Sequence, residues 1–383
     1  GAEGKALEQE VISIAREGGV RFVGPNTMGV YSAYPSPMQG IMATTVFKTG
    51  SVAVVSQSGN LGTSIAYQFI RRGIGISRLV SSGNEANLTI EDYLEYLEND
   101  EKTRVICLYV EGVRQGRRFI ETVKRITAKK PVILLKGGTG TIGADAAMSH
   151  TGAMAGSYAV FKSMCVQANI IVADTVDEMI NTGGLLLSQP EITGKRIGIV
   201  TQGGGWGVLT ADLCESIGLD VPPLNESVIH ELDSFLPEFW SRRNPVDLVA
   251  PGKVSAITDS IEALLKHADM DAIILLGLGY MTSRAKRWME SPVLPQDVME
   301  TLAQKLIVAE MELLDLVVQQ VKQFNKPIIP VIDLICFDEK GEINVVRHLD
   351  VKGIMAYSSP EQAIGALTKA HDYYRKRRAS AAQ

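Results

Sequence analysis

The amino-acid sequence predicts an α/β protein that contains more than one doubly wound parallel sheet. Short apolar runs alternate with helical patterns along most of the chain, which is the order of elements in such folds. Several runs, such as residues 105–110 and 272–276, are apolar at nearly every position, as expected of strands that helices cover on both faces. The 383 residues also exceed what one ordinary core holds, so two or three domains are expected.

The first residues predict one helix and one strand. Apolar residues recur at helical spacing over residues 6–16, and Gly18 and Gly19 then end the helix before a short strand over residues 20–23. A helix and a single strand do not bury both faces of a sheet. We therefore interpret residues 1–31 as the C-terminal remnant of a domain. The start at Gly1, without a methionine, favours a fragment or a processed chain.

A first complete domain is predicted over residues 32–190. Strands are expected at residues 51–56, 77–80, 104–110 and 131–136, and helices at residues 61–72, 90–98 and 116–129. A stretch rich in glycine and alanine follows at residues 137–156. Strands that alternate with helices in this way predict a parallel sheet with helices on both faces.

A second domain is predicted over residues 191–383. Its strands are expected at residues 196–201, 272–276 and 327–332, and its helices at residues 206–216, 299–324 and from 360 to about 375. The basic run 375–378 near the end of the chain is interpreted as the solvated end of the last helix.

Composition and charge argue against several classes of function. The 38 basic and 43 acidic residues are mixed along the chain and give a net charge of −5, so a basic face for nucleic acid is not expected. The apolar runs are much shorter than the roughly 20 residues that cross a bilayer, so no membrane segment is expected. Four widely separated cysteines fit the reduced thiols of a cytoplasmic protein rather than disulfides.

An internal repeat places a Gly-rich turn between a strand and a helix in each half of the chain. Residues 55–62 align with residues 200–207. Such a turn exposes free backbone N–H groups at the positive end of the helix dipole, where phosphate binds. Tight packing explains either turn taken alone equally well, but the repetition favours function. The predicted phosphate-binding residues are Ser56, Gln57, Ser58, Gly59 and Asn60 in the first turn and Gln202, Gly203, Gly204 and Gly205 in the second.

His150 is the candidate phosphoryl acceptor. Small residues at positions 146–156 leave its backbone free to move and its imidazole accessible. An imidazole accepts a phosphoryl group well when a carboxylate bonded to its other nitrogen fixes the tautomer. Glu111 is the candidate carboxylate, since it follows a strand directly at the end where open α/β sheets bind ligands. From spacing alone, a polar loop histidine and a solvated strand end remain the alternative interpretation.

The remaining polar motifs suggest no further chemistry. The other four histidines lack ligand spacing to each other or to the cysteines, so no metal site is predicted. They are His230, His267, His348 and His371. The loop at residues 242–248 either caps a helix or lines the site of the second domain, and the pattern favours the structural role.

Seven short motifs, taken in this order, resemble a known family. The motifs are Gly24-Pro25-Asn26, Ser56-Gln57-Ser58-Gly59, Ser82-Gly83-Asn84-Glu85, Tyr109-Val110-Glu111-Gly112, Ser149-His150-Thr151-Gly152, Gln202-Gly203-Gly204 and Asn244-Pro245-Val246-Asp247. The chain resembles, over nearly its whole length, the α subunit of NDP-forming acyl-CoA synthetases. This group includes ADP-forming acetyl-CoA synthetase and is related to succinyl-CoA synthetase.

The resemblance implies a fold, a reaction and a set of ligands. It implies two flavodoxin-like CoA-ligase domains after the tail of a Rossmann-like CoA-binding domain, with Pro25 and Asn26 near CoA. It implies that His150 becomes phosphohistidine, that Glu111 steadies its ring, and that both Gly-rich turns hold phosphate beside it. The implied reaction converts acyl-CoA, ADP and phosphate reversibly into acid, CoA and ATP through an acyl phosphate.

The resemblance also implies a partner, and it has limits. An ATP-grasp β subunit or module, expected to carry Mg²⁺, would bind the nucleotide, so a hetero-oligomer is implied. Only residues 1–31 correspond to the CoA-binding domain, so this chain alone should bind CoA poorly. Thr27 stands where the family commonly has cysteine, which argues that no thiol is required there. The acyl group and the choice between ADP and GDP stay open.

Two other classes of function are weighed against this interpretation. A regulatory or scaffold protein of the same fold would have lost catalysis, but His150, Glu111 and both turns are intact. A dinucleotide oxidoreductase needs the spacing Gly-x-Gly-x-x-Gly and an acidic residue about 20 positions further on. The second turn fits that spacing poorly.

Overall fold

Two α/β units divide the chain. The computed structural model describes residues 2–42, 47–143, 158–249, 254–266, 270–293, 295–332 and 344–382. The first unit comprises Gly1–Gly183 together with Lys376–Gln383, and the second comprises Gly184–Arg375. The assignment of residues 1–31 to the remnant of a separate domain stays a prediction.

The first unit contains a seven-stranded sheet. Its strands are β1 Gly29–Ser32, β2 Met38–Ile41, β3 Thr49–Ser56, β4 Ile76–Ser81, β5 Val105–Val110, β6 Val132–Lys136 and β7 Ile171–Ala173. Their order across the sheet is β2-β1-β4-β3-β5-β6-β7. Strand β1 is antiparallel to both of its neighbours, and the other pairs are parallel. The parallel part therefore has the 2-1-3-4-5 order of flavodoxin-like domains.

The helices of this unit begin and pack as their sequences dictate. They are α1 Ala2–Glu17, α2 Gly59–Arg71, α3 Ile90–Glu98, α4 Gly116–Thr127, α5 Tyr158–Gln167 and α6 Val176–Ser188, the last of which crosses into the second unit. The α3 helix begins at a cap in which the Thr89 backbone N–H donates to the Asp92 carboxylate at 2.8 Å. Phe119, Val123 and Ile126 recur at helical spacing along α4 and are fully buried against the sheet.

The second unit contains a smaller sheet that is wholly parallel among the described residues. Its strands are β8 Ile197–Thr201, β9 Val246–Asp247, β10 Ala272–Leu278 and β11 Ile328–Ile332, in the order β11-β10-β8-β9. If the four strands are renumbered 1 to 4 in chain order, their order across the sheet, starting from β9, is 2-1-3-4. The second unit therefore repeats the winding of the first unit.

Seven helices of the second unit lie within the described residues. They are α7 Gly204–Ser216, α8 Glu226–Asp233, α9 Ser255–Lys266, α10 Tyr280–Met289, α11 Gln296–Phe324, α12 Asn344–Val351 and α13 Pro360–Ala381, whose last residues belong to the first unit. The core packs Leu264 of α9 and Leu314 and Val317 of α11 against Ile273 and Leu275 of β10. These five residues are almost completely buried.

The predicted fold class is confirmed, and most predicted elements are present with shifts at their ends. The predicted strand at residues 20–23 is wrong. The Phe22 backbone bonds to a loop instead, since its N–H donates to Asn87 Oδ1 at 3.0 Å and its carbonyl accepts from the Leu88 N–H at 3.3 Å. The β1–β2 hairpin was not predicted, because its four-residue strands give too short a pattern.

Three thiols lie in the cores of the two units. Cys107, Cys165 and Cys214 are free and buried, and burial raises the pKa of each. Cys336 lies outside the described residues. In the part of the chain that the structure describes, no helix is long and apolar enough to cross a membrane.

Asp271 fastens the start of β8 to the start of β10. Its carboxylate accepts hydrogen bonds from the Arg196 backbone N–H at 2.9 Å and from the guanidinium at 3.1 and 3.2 Å. Burial raises the pKa of Asp271, but the bonds from Arg196 outweigh it and hold the pKa below its usual value. The charged carboxylate therefore stabilises the fold above the unfolded-state pKa, and this contribution is lost as pH falls through the folded-state pKa.

Asp271→Asn is expected to lower the free energy of unfolding by about 1 to 3 kcal/mol at neutral pH, since the charge-assisted bonds are lost. Urea unfolding at decreasing pH checks the assignment, because the difference from the wild type should shrink as Asp271 becomes protonated. Glu121→Gln serves as the control, since this side chain is 59% exposed in its pair with Arg117 and should matter little. A difference for Asp271→Asn that stays constant with pH would contradict the prediction.

Candidate functional site

The candidate site lies at the carboxyl ends of β3 and β5. The chain leaves β3 toward β4 on one side of the sheet and leaves β5 toward β6 on the other. The crevice between two such strands is where open α/β sheets bind ligands. Gln57 follows β3 and Glu111 follows β5, so the sequence-predicted turn and carboxylate lie on either side of this crevice.

The first Gly-rich turn is braced from inside by Ser56. The Ser56 hydroxyl donates to the Ser58 carbonyl at 2.6 Å and accepts from the Ser58 N–H at 3.2 Å. Helix α2 begins immediately afterwards at Gly59, and no side-chain hydrogen bond caps its first residue. The turn therefore presents the start of a helix whose first N–H groups suit an anion.

Gln57 joins the two sides of the crevice. Its side-chain Oε1 accepts from the backbone N–H groups of Glu111 at 2.6 Å and Gly112 at 3.0 Å, and its Nε2 donates to the Gly112 carbonyl at 2.8 Å. Its own backbone N–H donates to the Tyr109 carbonyl at 3.2 Å. Gln57 is 8% exposed, so these bonds are protected from water and fix the backbone that carries Glu111.

Glu111 is 9% exposed and lies in a polar environment. The Tyr109 hydroxyl donates to its Oε1 at 3.3 Å. Burial and then the charge of Glu111 raise the pKa of Tyr109 to about 12, so the phenol stays a donor. Gly137 follows β6 and has no side chain, so the Tyr109 ring and the Glu111 side chain occupy the space beside its backbone.

Lys136 places a cation beside Glu111. Its Nζ donates to the Glu111 carbonyl at 2.7 Å and to the Gly137 carbonyl. Burial lowers the pKa of Lys136, while the charge of Glu111 opposes that shift. Sequence reasoning missed Lys136. This residue is the last of β6, and Glu111 likewise lies at the carboxyl end of its strand, directly after β5. A charged residue at the end of an apolar strand is the signal that could have found it.

The loop that contains Pro25 and Asn26 lies against the loop after β4. The Asn84 N–H donates to the Pro25 carbonyl at 2.9 Å, and the Asn26 side-chain amide donates to Asn84 Oδ1 at 3.3 Å. Met28 reaches the first Gly-rich turn, where a Cβ at Gly59 would lie 2.5 Å from Met28 Cγ. The structure thus brings this loop to the same edge of the sheet as the turn.

The second Gly-rich turn repeats the geometry of the first within its own unit. The Thr201 hydroxyl donates to the Gly203 carbonyl at 2.8 Å and accepts from the Gly203 N–H at 3.1 Å. The Gln202 Nε2 donates to the Gly277 carbonyl at 3.2 Å, near the end of β10. Helix α7 then begins at Gly204 without a side-chain hydrogen bond to its cap.

Asp247 distinguishes the second turn from the first. A Cβ at Gly204 would lie 2.7 Å from the Asp247 carboxylate, so a negative charge already stands at the start of α7. Asn244 of the same loop holds β8, because its amide accepts from the Ile199 N–H at 3.0 Å and donates to the Ile197 carbonyl at 2.8 Å. The loop at residues 242–248 thus holds β8 in place and also brings a carboxylate to the turn.

His150 lies outside the described residues, so its role stays a prediction from the sequence. Asn60 and Gly205 each lie in the first turn of the helix that follows their turn. Among the described residues, no three histidine, cysteine, aspartate or glutamate side chains gather as possible metal ligands.

Two flavodoxin-like sheets, each with a Gly-rich turn at its switch point, define an α/β protein of the CoA-ligase fold class. A family model described as a succinyl-CoA ligase like flavodoxin domain matches residues 49–186. The solved structure of dinucleotide-forming acetyl-coenzyme A synthetase 1 of Ca. Korarchaeum cryptofilum, in complex with phosphate and ADP, has a TM-score of 0.81. The two sequences are 30% identical, and the match covers 97% of this chain and 75% of the solved chain.

Curated relatives agree with this class. The α subunit of ADP-forming acetate–CoA ligase II of Pyrococcus furiosus is 41% identical over 276 residues, or 72% of this chain. The α subunit of ligase I of the same organism is 33% identical over 368 residues, or 96% of this chain. The chain spans 60% of the length of the first relative and 73% of the second. The chain belongs to the family of ADP-forming acetate–CoA ligase α subunits.

Gly62→Ala is expected to destabilise the first unit by about 1 to 3 kcal/mol, because overpacking displaces neighbours that cannot move away. The new Cβ would lie 2.7 Å from Ser56 Cβ and 3.1 Å from Ser56 Oγ, and Ser56 is fully buried. Urea unfolding measures the change. In the control Gly116→Ala, the new Cβ meets nothing within 4 Å. Equal stability of the two variants would show that Gly62 is not needed for the turn.

Proposed function

We propose that this chain is the α-type subunit of an NDP-forming acid–CoA ligase and relays a phosphoryl group through His150. The substrates are a small acyl-CoA or the corresponding carboxylate, phosphate and ADP, with CoA and ATP as the other ligands. The observation that carries the proposal is the Gln57 side chain, which bonds the turn after β3 to the backbone of Glu111. A phosphate-binding turn and a buried carboxylate are thereby held on one crevice.

The proposed reaction has three balanced steps. Phosphate attacks the thioester carbonyl, so that the C–S bond breaks and CoA leaves as acyl phosphate forms. The imidazole of His150 then attacks phosphorus, and the bond to the acyl oxygen breaks to release the carboxylate. The terminal phosphate oxygen of ADP finally attacks phosphohistidine, the P–N bond breaks, and ATP leaves.

Glu111 would accept a hydrogen bond from the second ring nitrogen of His150. This bond fixes the tautomer and stabilises the positive charge that develops as the other nitrogen attacks phosphorus. The low exposure of Glu111 supports the role, since a charge-assisted bond gains strength away from water. Tyr109 keeps one carboxylate oxygen in place at 3.3 Å.

The first turn and Lys136 would stabilise the phosphoryl group. The start of α2 offers backbone N–H groups and the positive end of a helix dipole, which contributes about 0.3 to 2 kcal/mol for a nearby anion. The half-buried amino group of Lys136, which donates to the Glu111 carbonyl at 2.7 Å, adds a cationic side chain at this end of the sheet. The turn at Gln202–Gly205 is proposed as a second phosphate-binding element, because its backbone repeats that of the first.

The partner and the remaining ligands are proposed from the resemblance to the family. Pro25 and Asn26 are proposed to lie near CoA, and their contacts with Asn84 place them at the edge of the sheet that carries the turn. We propose an ATP-grasp β subunit or module that binds ADP or ATP with Mg²⁺, so that the working enzyme is a hetero-oligomer in the cytoplasm.

Glu111→Gln is expected to slow phosphorylation of the chain about 10²- to 10⁴-fold, because the amide cannot support the charged imidazole. The chain is incubated with its ATP-grasp partner, ATP and Mg²⁺, and intact mass then measures acid-labile phosphate over time. One phosphate per chain is expected in the wild type and none in His150→Ala.

Two controls separate the relay from a general loss of folding. His230→Ala removes an exposed histidine of α8 and should leave phosphorylation unchanged, as should Glu121→Gln on α4. If the wild type takes up no phosphate, the relay is refuted and a regulatory or scaffold protein of the same fold becomes the better interpretation. A nicotinamide titration without binding excludes the oxidoreductase.

Asp247→Asn is expected to tighten phosphate binding about two- to tenfold, because the carboxylate beside Gly204 repels an anion at the start of α7. The asparagine oxygen still accepts from the Val249 N–H, which bonds Asp247 Oδ1 at 3.0 Å in the wild type. The rise in melting temperature with inorganic phosphate measures affinity. Asp212→Asn, an exposed change further along α7, is the control, and an equal effect there would assign the change to net charge alone.

A further inference from the structure

The side chain of Arg114 joins the loops on the two sides of β3. Arg114 lies in the loop after β5, and its Nη2 donates to the Asn84 carbonyl at 2.7 Å. Asn84 lies in the loop after β4, and β3 is the strand between β4 and β5 in the sheet. The bond from Arg114 to Asn84 therefore spans the end of β3, where the first Gly-rich turn begins.

The loops at both ends of this bond are attached to the first turn. The Ser82 N–H donates to the Ser56 carbonyl at 2.8 Å, so the loop after β4 is fixed to the last residue of β3. The Gln57 Nε2 donates to the Gly112 carbonyl at 2.8 Å, so the loop after β5 is fixed to the next residue of the chain. These bonds and the bond from Arg114 close a ring that contains the start of the turn.

The guanidinium of Arg114 is not neutralised by a carboxylate. Apart from its bond to Asn84, Arg114 forms no hydrogen bond or ion pair within the part of the chain that the structure describes. A guanidinium has five N–H donors and stays charged in proteins. Arg118, on the helix that follows, instead pairs with Asp92 at 2.7 Å and Glu95 at 2.9 Å. Arg114 is therefore left with charge and donors for another anion.

The start of α2 offers the other half of an anion site. Helix α2 begins at Gly59 without a side-chain hydrogen bond to its cap, and its first turn carries no acidic residue. The second turn differs, because the Asp247 carboxylate lies beside Gly204 at the start of α7. Backbone N–H groups at a helix start and a guanidinium fork are both donors that match the oxygens of phosphate.

We propose that Arg114 binds a phosphate group at the start of α2 and contacts the substrate directly. This inference rests on the proposed function and adds a residue to its phosphate site. The guanidinium fork donates to oxygens of the phosphate, and the backbone N–H groups of the turn donate to the remaining oxygens. The bond to Asn84 holds the side chain in place before phosphate arrives, so less side-chain freedom is lost on binding.

Inorganic phosphate and the phosphates of CoA offer the same oxygens to a guanidinium. Asn84 also contacts the loop of Pro25 and Asn26, which is proposed to lie near CoA. Arg114 itself makes no bond to that loop in the described residues, and the ring that it closes contains the turn. We therefore assign inorganic phosphate, and the acyl phosphate formed from it, as the ligand.

Arg114→Gln removes the charge, and Arg114→Lys keeps the charge but loses the fork. Arg117→Gln is the matched control, because it removes the same charge from a side chain that is 93% exposed and pairs with Glu121. The rise in melting temperature of the full chain is measured against inorganic phosphate and, separately, against CoA. The half-maximal phosphate concentration should increase about tenfold in Arg114→Gln, less in Arg114→Lys and less than about twofold in Arg117→Gln.

Steady-state kinetics give a second measurement. With the ATP-grasp partner, acyl-CoA and ADP, the KM for inorganic phosphate should rise about tenfold in Arg114→Gln, while the KM values for acyl-CoA and ADP stay within about twofold. Urea unfolding without ligand should be the same as in the wild type, because the bond between Arg114 and Asn84 lies at the exposed surface. A merely structural role would lower stability and would not act selectively on phosphate.

The outcomes distinguish failure of the inference from failure of the proposed function. The inference is overturned if phosphate stabilises Arg114→Gln and the wild type equally, or if phosphate does not stabilise the wild type. An equal effect in Arg117→Gln, or an effect on CoA alone, also overturns it. A wild type that takes up no phosphate on His150 refutes the relay, while weaker phosphate binding confined to the Arg114 variants would still establish a phosphate site at the first turn.

Discussion

The bonds of the Gln57 side chain constrain the whole candidate site. Strands β3 and β5 are neighbours in the sheet, but the chain leaves them in opposite directions, so their ends need a link. One amide supplies that link through two accepted bonds and one donated bond. The turn before α2 and the carboxylate of Glu111 are therefore placed by a single buried side chain. The neighbouring groups Tyr109 and Lys136 then tune the charge around a backbone that is already fixed.

The second unit has the same turn geometry as the first in a different charge environment. Ser56 and Thr201 brace their turns with equivalent hydrogen bonds, and Gln57 and Gln202 both reach the end of the next strand in the sheet. The difference lies at the helix start, where the first turn packs against the thioether of Met28 and the second against the carboxylate of Asp247. The positive end of a helix dipole attracts an anion more strongly when no carboxylate already lies beside it. The repeat has thus kept its backbone while the charge at the two turns diverged.

The sequence allowed the strands and turns to be predicted because their signals are local. Strand β5 is apolar throughout, and the glycines at 59, 62, 204 and 207 mark both turns directly. The site was predicted only in part, since Lys136 comes to it from the end of β6 and Asp247 comes to the second turn from the end of β9. Their contribution depends on strand order, which no local pattern contains. The wrong strand at residues 20–23 has the same origin, because Phe22 pairs with a distant loop rather than a strand.

Glu310 shows why burial alone does not make a carboxyl group functional. Glu310 on α11 is fully buried, and burial raises its pKa. Its two oxygens accept from the backbone N–H groups of Gly279 and Thr282, both at 2.7 Å, and so cap the start of α10. Its hydrogen-bonding role is therefore complete within the fold. A buried carboxyl group with a raised pKa can therefore have a purely structural role.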